Sequence, residues 1–129
     1  MKNILKPGDK RSFTKTVSKE DIAVFETGKV HDLYSTFALA RDAEWCSRLF
    51  VLDIKENDEE GIGTSIEIKH LSPALAGSEV IFTATVNSVK GNNLICDFEA
   101  RVGDRIIAQG STGQKVLKKS RLEEILRQL

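Results

Sequence analysis

The sequence predicts an α+β fold in which one long helix covers a largely antiparallel sheet. Three observations carry this expectation. Between Ser35 and Lys55 the chain contains neither proline nor glycine and is rich in helix formers. From residue 62 to residue 117 it runs as four stretches of alternating apolar and polar residues. The junctions KGNNL and VGDR between the last three stretches are turn sequences that join antiparallel neighbours, so those strands form a meander.

Taken in order, RSFTKTV (11–17) alternates Phe13 with polar neighbours and reads as a first strand, its lysines marking an edge. Ser18 with Asp21 three residues on resembles a capping box, so a short helix starts there. ETGKVHDLY carries a glycine and mixed polarity and reads as a loop. In the long helix, Leu39, Ala43, Cys46 and Phe50 form a buried stripe that Leu49 and Leu52 widen. Ala38, Ala40, Ala43, Cys46 and Ser47 are small, which lets a sheet wrap closely around the helix. ENDEEGIG closes the helix as an acidic loop, and strands follow over 62–71, 79–90, 93–102 and 105–117. In the third of these, Leu94, Cys96, Phe98, Ala100 and Val102 face inward. A last helix starts at a Ser120–Glu123 capping box, with Leu122, Ile125, Leu126 and Leu129 on one face. One helix on one sheet leaves sheet edges open, and dimerisation is the expected remedy.

A chain of 129 residues is most simply one domain spanning 1–129. Nineteen basic and nineteen acidic residues cancel, so no overall field draws it to nucleic acid or an anionic membrane. No stretch has the length of a signal peptide's apolar region or a membrane span, which makes a cytoplasmic location the expectation. Cys46 and Cys96 sit among apolar neighbours and read as core thiols, and no CxxC or HExxH spacing exists. No metal or organic cofactor is expected.

The stretch GTSIEIKHLSP raises the functional question. Its alternation sets Thr64, Ile66, Ile68 and His70 on the inward face, so the buried side of the strand ends in a histidine. If that face meets the long helix, the polar candidates opposite are Thr36, Glu44 and Ser47. A carboxylate beside a half-buried imidazole makes a general acid/base pair, which singles out Glu44. Arg41 three residues before it and Arg48 four residues after it offer a plainer reading, an exposed helical ion pair. Thr36 reads equally as part of a helix N-terminus with Ser35, a Cys46 nucleophile has no local activating signal, and His31 has no pattern around it. Eight helical residues rise ~12 Å, so Thr36 and Glu44 cannot both touch one small group from within one regular helix. Either Thr36 folds back ahead of the helix, or a symmetry mate supplies part of the site.

YSTFALARDAEWC, followed by GTSIEIKHLSPALAGSEVIFTATVNSVKGNNLICDFEARVGDRIIAQGSTGQKVL, resembles the hotdog-fold acyl-CoA thioesterases, nearest the fluoroacetyl-CoA thioesterase-like group. The resemblance spans about residues 34–117 and rests on a Thr with Glu-Trp eight residues later, then a Gly-Thr opening a strand that ends in His.

The resemblance implies a hotdog fold: a long central helix wrapped by a curled antiparallel sheet of about five strands, with a C-terminal helix. It implies that Thr36, Glu44 and His70 form a catalytic triad at the interface of a homodimer or dimer of dimers. Gly63 would border the acyl group of a small acyl-CoA substrate. Glu44 would attack the thioester or activate water, Thr36 would hydrogen-bond the reacting groups, and His70 would move the proton. Departures from the pattern are equally plain. Phe37 stands where that group has glycine, and Arg41 and Asp42 replace small or apolar residues. The group's lid aromatics have no matching positions, so a preference for fluorinated acyl groups is not implied. The rival functions are an acyl-CoA-binding module without turnover and a hotdog hydratase or dehydratase.

Overall fold

The computed structural model describes residues 1–129. Its elements are β1 (Lys10–Thr16), a 3₁₀ turn (Lys19–Asp21), β2 (Ile22–Phe25), β3 (Gly28–Tyr34), α1 (Thr36–Ile54), β4 (Glu59–His70), β5 (Glu79–Lys90), β6 (Asn93–Val102), β7 (Arg105–Lys118) and α2 (Lys119–Arg127). A five-stranded antiparallel sheet has the order β1-β5-β6-β7-β4, and β2 and β3 form a separate two-stranded sheet. No helix is long and apolar enough to cross a membrane.

Helix α1 lies across the large sheet and touches all five of its strands. The small residues make this possible: Ala38, Ala43, Cys46 and Ser47 are fully buried, so strand side chains approach the helix backbone closely. Leu39, Phe50, Val51 and Ile54 fill the remaining space against Phe82, Leu94, Phe98 and Ile107. Each such side chain stabilises the fold by roughly 1.5–3 kcal/mol. Leu52 departs from the expected stripe and stays exposed, while Val51 and Ile54 take its place.

Two local expectations change. ETGKVHDLY is a strand rather than a loop: Phe25 pairs with Gly28 around a tight Glu26–Thr27 turn, and Gly28 supplies a φ of 112°. The last helix begins at Lys119, ahead of the Ser120–Glu123 box. There, β7 runs straight into the helix: Lys118 pairs across β4 with Glu59, and the Lys119 N–H donates to the Asp58 carbonyl at 2.8 Å. The backbone tie fixes the helix start, and no side-chain cap forms. By contrast Ser18 does cap the 3₁₀ turn with Asp21, as the spacing predicts.

Strands β1 and β4 are the sheet's edges. β1 is short and lysine-bearing, whereas β4 is 12 residues long and exposed over residues 64–67. A long open edge of this kind is what sheets pair through.

Candidate active site

Thr36 is placed by the start of α1. Ser35 is the N-cap, its Oγ accepting from the Ala38 N–H at 3.1 Å, which makes Thr36 the first helical residue. His70 is the last residue of β4, and beyond it the Leu71 and Ser72 N–H groups donate to the Ile107 carbonyl at 2.8 and 3.1 Å. The two elements meet at their ends, where Thr36 Oγ1 and His70 Nδ1 form a 2.9 Å hydrogen bond. His70 Nε2 is buried without a partner. Burial lowers the His70 pKa below the ordinary 6.5, partly opposed by the Ser72 backbone, so the neutral ring dominates at neutral pH. A neutral imidazole with one donor and one acceptor nitrogen can relay a proton.

The pair opens into the largest cavity, about 610 Å³, with a mainly apolar wall. One side is α1, through Phe37 and Ala40; the other is the β2–β3 hairpin, through Ala23, Phe25, His31 and Leu33. Both histidines of the chain therefore face one space. Sequence reading set His31 aside because β3 shows no burial period, and only the hairpin brings it here.

A buried polar network braces the start of α1. Tyr34 Oη donates to Asp42, Arg41 Nε donates to Asp42 at 3.0 Å, and Arg41 also reaches Asp21 at 2.7 Å. Asp21 returns the tie through its carbonyl, which accepts from the Ser35 N–H at 2.8 Å. Burial alone would raise the Asp21 carboxyl, but bonds from Arg41, Ser18 and Lys15 overcome it and hold the group well below the usual carboxylate range. Burial and then the Asp42 carboxylate push the Tyr34 phenol far up. Asp42 is a buried acid that no sequence period reveals.

Glu44 occupies a different groove, about 290 Å³, with Gly63, Thr64, Ser65 and Ile66. A β-bulge at Thr64 shifts the register, so Gly63 and Ile66 both turn to the helix side, where simple alternation had put Thr64. A Cβ on Gly63 would collide with Glu44 Oε1; glycine alone admits the carboxylate there. The expected ion pair does not form. Arg48 binds Glu60 and Arg41 binds Asp21 and Asp42, so Glu44 has neither ion pair nor hydrogen bond.

Thus one chain assembles two half-sites, Thr36 with His70 and Glu44 with Gly63, in separate clefts. Thr36 is helical, so the ~12 Å rise to Glu44 stands. Ser47 belongs to neither, being buried and accepting from Thr112 Oγ1 at 2.7 Å. Cys46 is also removed from consideration: burial pushes its thiol up to about 11, and that of Cys96 to about 12. No group of three or more His, Cys, Asp or Glu residues is placed to hold a metal ion.

The family described as fluoroacetyl-CoA-specific thioesterase, FlK, matches residues 17–120. The chain belongs to that family. Its enzymes are thioesterase hydrolases, and the fold is the hotdog fold. A thioesterase superfamily member from Thermus thermophilus is 31% identical, with a TM-score of 0.93 over 98% of this chain and 93% of its own. The structure of a point variant of the fluoroacetyl-CoA-specific thioesterase FlK is 21% identical, with a TM-score of 0.89 and 98% of both chains covered. A hot-dog-like protein from Thermanaerovibrio acidaminovorans is 23% identical, with a TM-score of 0.85 over 95% of this chain and 90% of its own. Among curated proteins none matches.

Proposed function

We propose that the protein hydrolyses the thioester of a small acyl-CoA, as a homodimer whose active site combines Thr36 and His70 of one protomer with Glu44 and Gly63 of the other. The observation that carries this reading is the Thr36–His70 hydrogen bond at the mouth of an apolar cavity, with an unpaired carboxylate elsewhere on the same helix. The open β4 edge offers the means of joining them. If two β4 strands pair antiparallel about an axis near Ile66, Gly63 of one faces His70 of the other, because the two residues flank that position about equally.

In this reading Glu44 takes a proton from water as the water attacks the thioester carbonyl, or attacks directly to form an anhydride that water then opens. The Thr36 and Phe37 N–H groups, in the unpartnered first turn of α1, face the developing oxyanion. The carbon–sulfur bond breaks, the Thr36–His70 pair delivers a proton to the leaving thiolate, and the products are free acid and CoA thiol. Phe25, Leu33 and Phe37 receive the acyl group.

Mixing two inactive variants tests the composite site. Glu44→Gln and His70→Asn each abolish most turnover, followed as free thiol release. Refolded together, statistical heterodimers restore one intact site each and recover about a quarter of wild-type activity. No recovery would refute a site shared between protomers, and a wild-type protein that binds acyl-CoA without releasing thiol would make it a binding module.

A further inference from the structure

Glu44 sits between two arginines on its own helix and pairs with neither. Glu and Arg four residues apart ordinarily attract one another, so the missing Glu44–Arg48 pair needs a cause. The cause is on β4. Arg48 donates to Glu60 Oε1 at 2.8 Å and to the Gly61 carbonyl at 3.2 Å. Glu60 Oε1 is itself fixed by the Gly61 N–H at 3.0 Å, which aims the acceptor at the guanidinium. Gly61 keeps the path clear, since a Cβ there would stand 2.6 Å from Val51 Cγ1 and 3.4 Å from the guanidinium. The two glycines thus seat two helix side chains in turn, Arg48 over Gly61 and Glu44 over Gly63.

We propose that Glu60 is a positioning residue for the thioesterase reaction: by holding Arg48 over Gly61 it keeps the Glu44 carboxylate free to act as base or nucleophile. The inference rests on Glu44 being the reacting carboxylate. A guanidinium on that carboxylate would occupy its lone pairs and lower its proton affinity, which weakens both roles. Glu60 touches neither cavity wall, and its influence passes through Arg48 alone.

The test is a double-mutant cycle in steady-state thioester hydrolysis. Glu60→Gln releases Arg48 to Glu44 and lowers kcat about three- to tenfold with KM little changed, and the deficit shrinks as salt is raised. Arg48→Gln alone leaves kcat near wild type, and adding Arg48→Gln to Glu60→Gln restores it, a rescue that a merely structural role of Glu60 would not produce. A Glu60→Gln variant with wild-type kcat, or a double variant as slow as Glu60→Gln, would overturn the proposal. Glu44→Gln is measured alongside. If it keeps turnover, the catalytic reading of Glu44 fails; if it loses turnover while Glu60→Gln is silent, only the present proposal fails.

Discussion

Gly63 and Glu44 share a space that a single methyl group would contest: the Glu44 carboxylate lies where the β-carbon of any other residue at position 63 would stand. The obstructing atom is the far end of a flexible side chain. Gly63→Ala should therefore fold with a melting temperature within a few degrees of the parent, while turning the carboxylate away. A drop in kcat of at least about tenfold is expected from such a displacement. A variant with full kcat would mean that the position of this carboxylate does not matter.

The buried His70 ring makes stability and activity depend on pH with a definite sign. Its folded pKa lies below the ordinary 6.5, chiefly through burial. Below about 6.5 the unfolded chain therefore takes up a proton that the folded chain resists, and stability falls as pH drops through that window. Above it the contribution is fully present. Urea unfolding between pH 4.5 and 7.5 should show this slope in the wild type and a shallower one in His70→Asn. Turnover should fall over the same acid range as the ring loses its acceptor for Thr36.

Asp42 should matter more to folding than its charge suggests. It is 5% exposed and bound by both Tyr34 and Arg41. Asp42→Ala leaves a buried phenol without its acceptor and a half-exposed guanidinium with one partner fewer, at a cost of about 1–3 kcal/mol. Tyr34→Phe leaves Asp42 tied to Arg41 and should cost less, about 1 kcal/mol. Chemical denaturation of the two variants checks the order; equal or reversed losses would mean that the bond to Tyr34 is not what holds Asp42 in place.

The parts of the fold that sequence revealed are those whose burial follows a single period. Leu94, Cys96, Phe98 and Ala100 alternate without exception along β6, and the strand is found with the expected ends. The hairpin was hidden because β3 is exposed along most of its length, so its residues carry no alternation to detect. The bulge at Thr64 breaks the period at the very residues that seat Glu44. The polar brace at the start of α1 joins residues up to 20 positions apart, and no local spacing announces it. Thr36, Glu44, His70 and Gly63 were legible only because their pattern resembles a family. Composition and period alone leave a threonine at a helix start and a glutamate between two arginines.

The β2–β3 hairpin has a further consequence. It is a sheet of its own, fastened to the large one by a few backbone bonds such as Tyr34 N–H to the Ala74 carbonyl at 2.8 Å and Ala76 N–H to the Asp32 carbonyl at 3.1 Å. The groups that handle the proton stand on the scaffold, while half of the wall that meets the acyl chain stands on this attachment. Recognition and chemistry are thereby built on separate pieces of backbone. Exchanges at Phe25, His31 or Leu33 can retune which acyl group fits without disturbing the packing between α1 and the five strands beneath it.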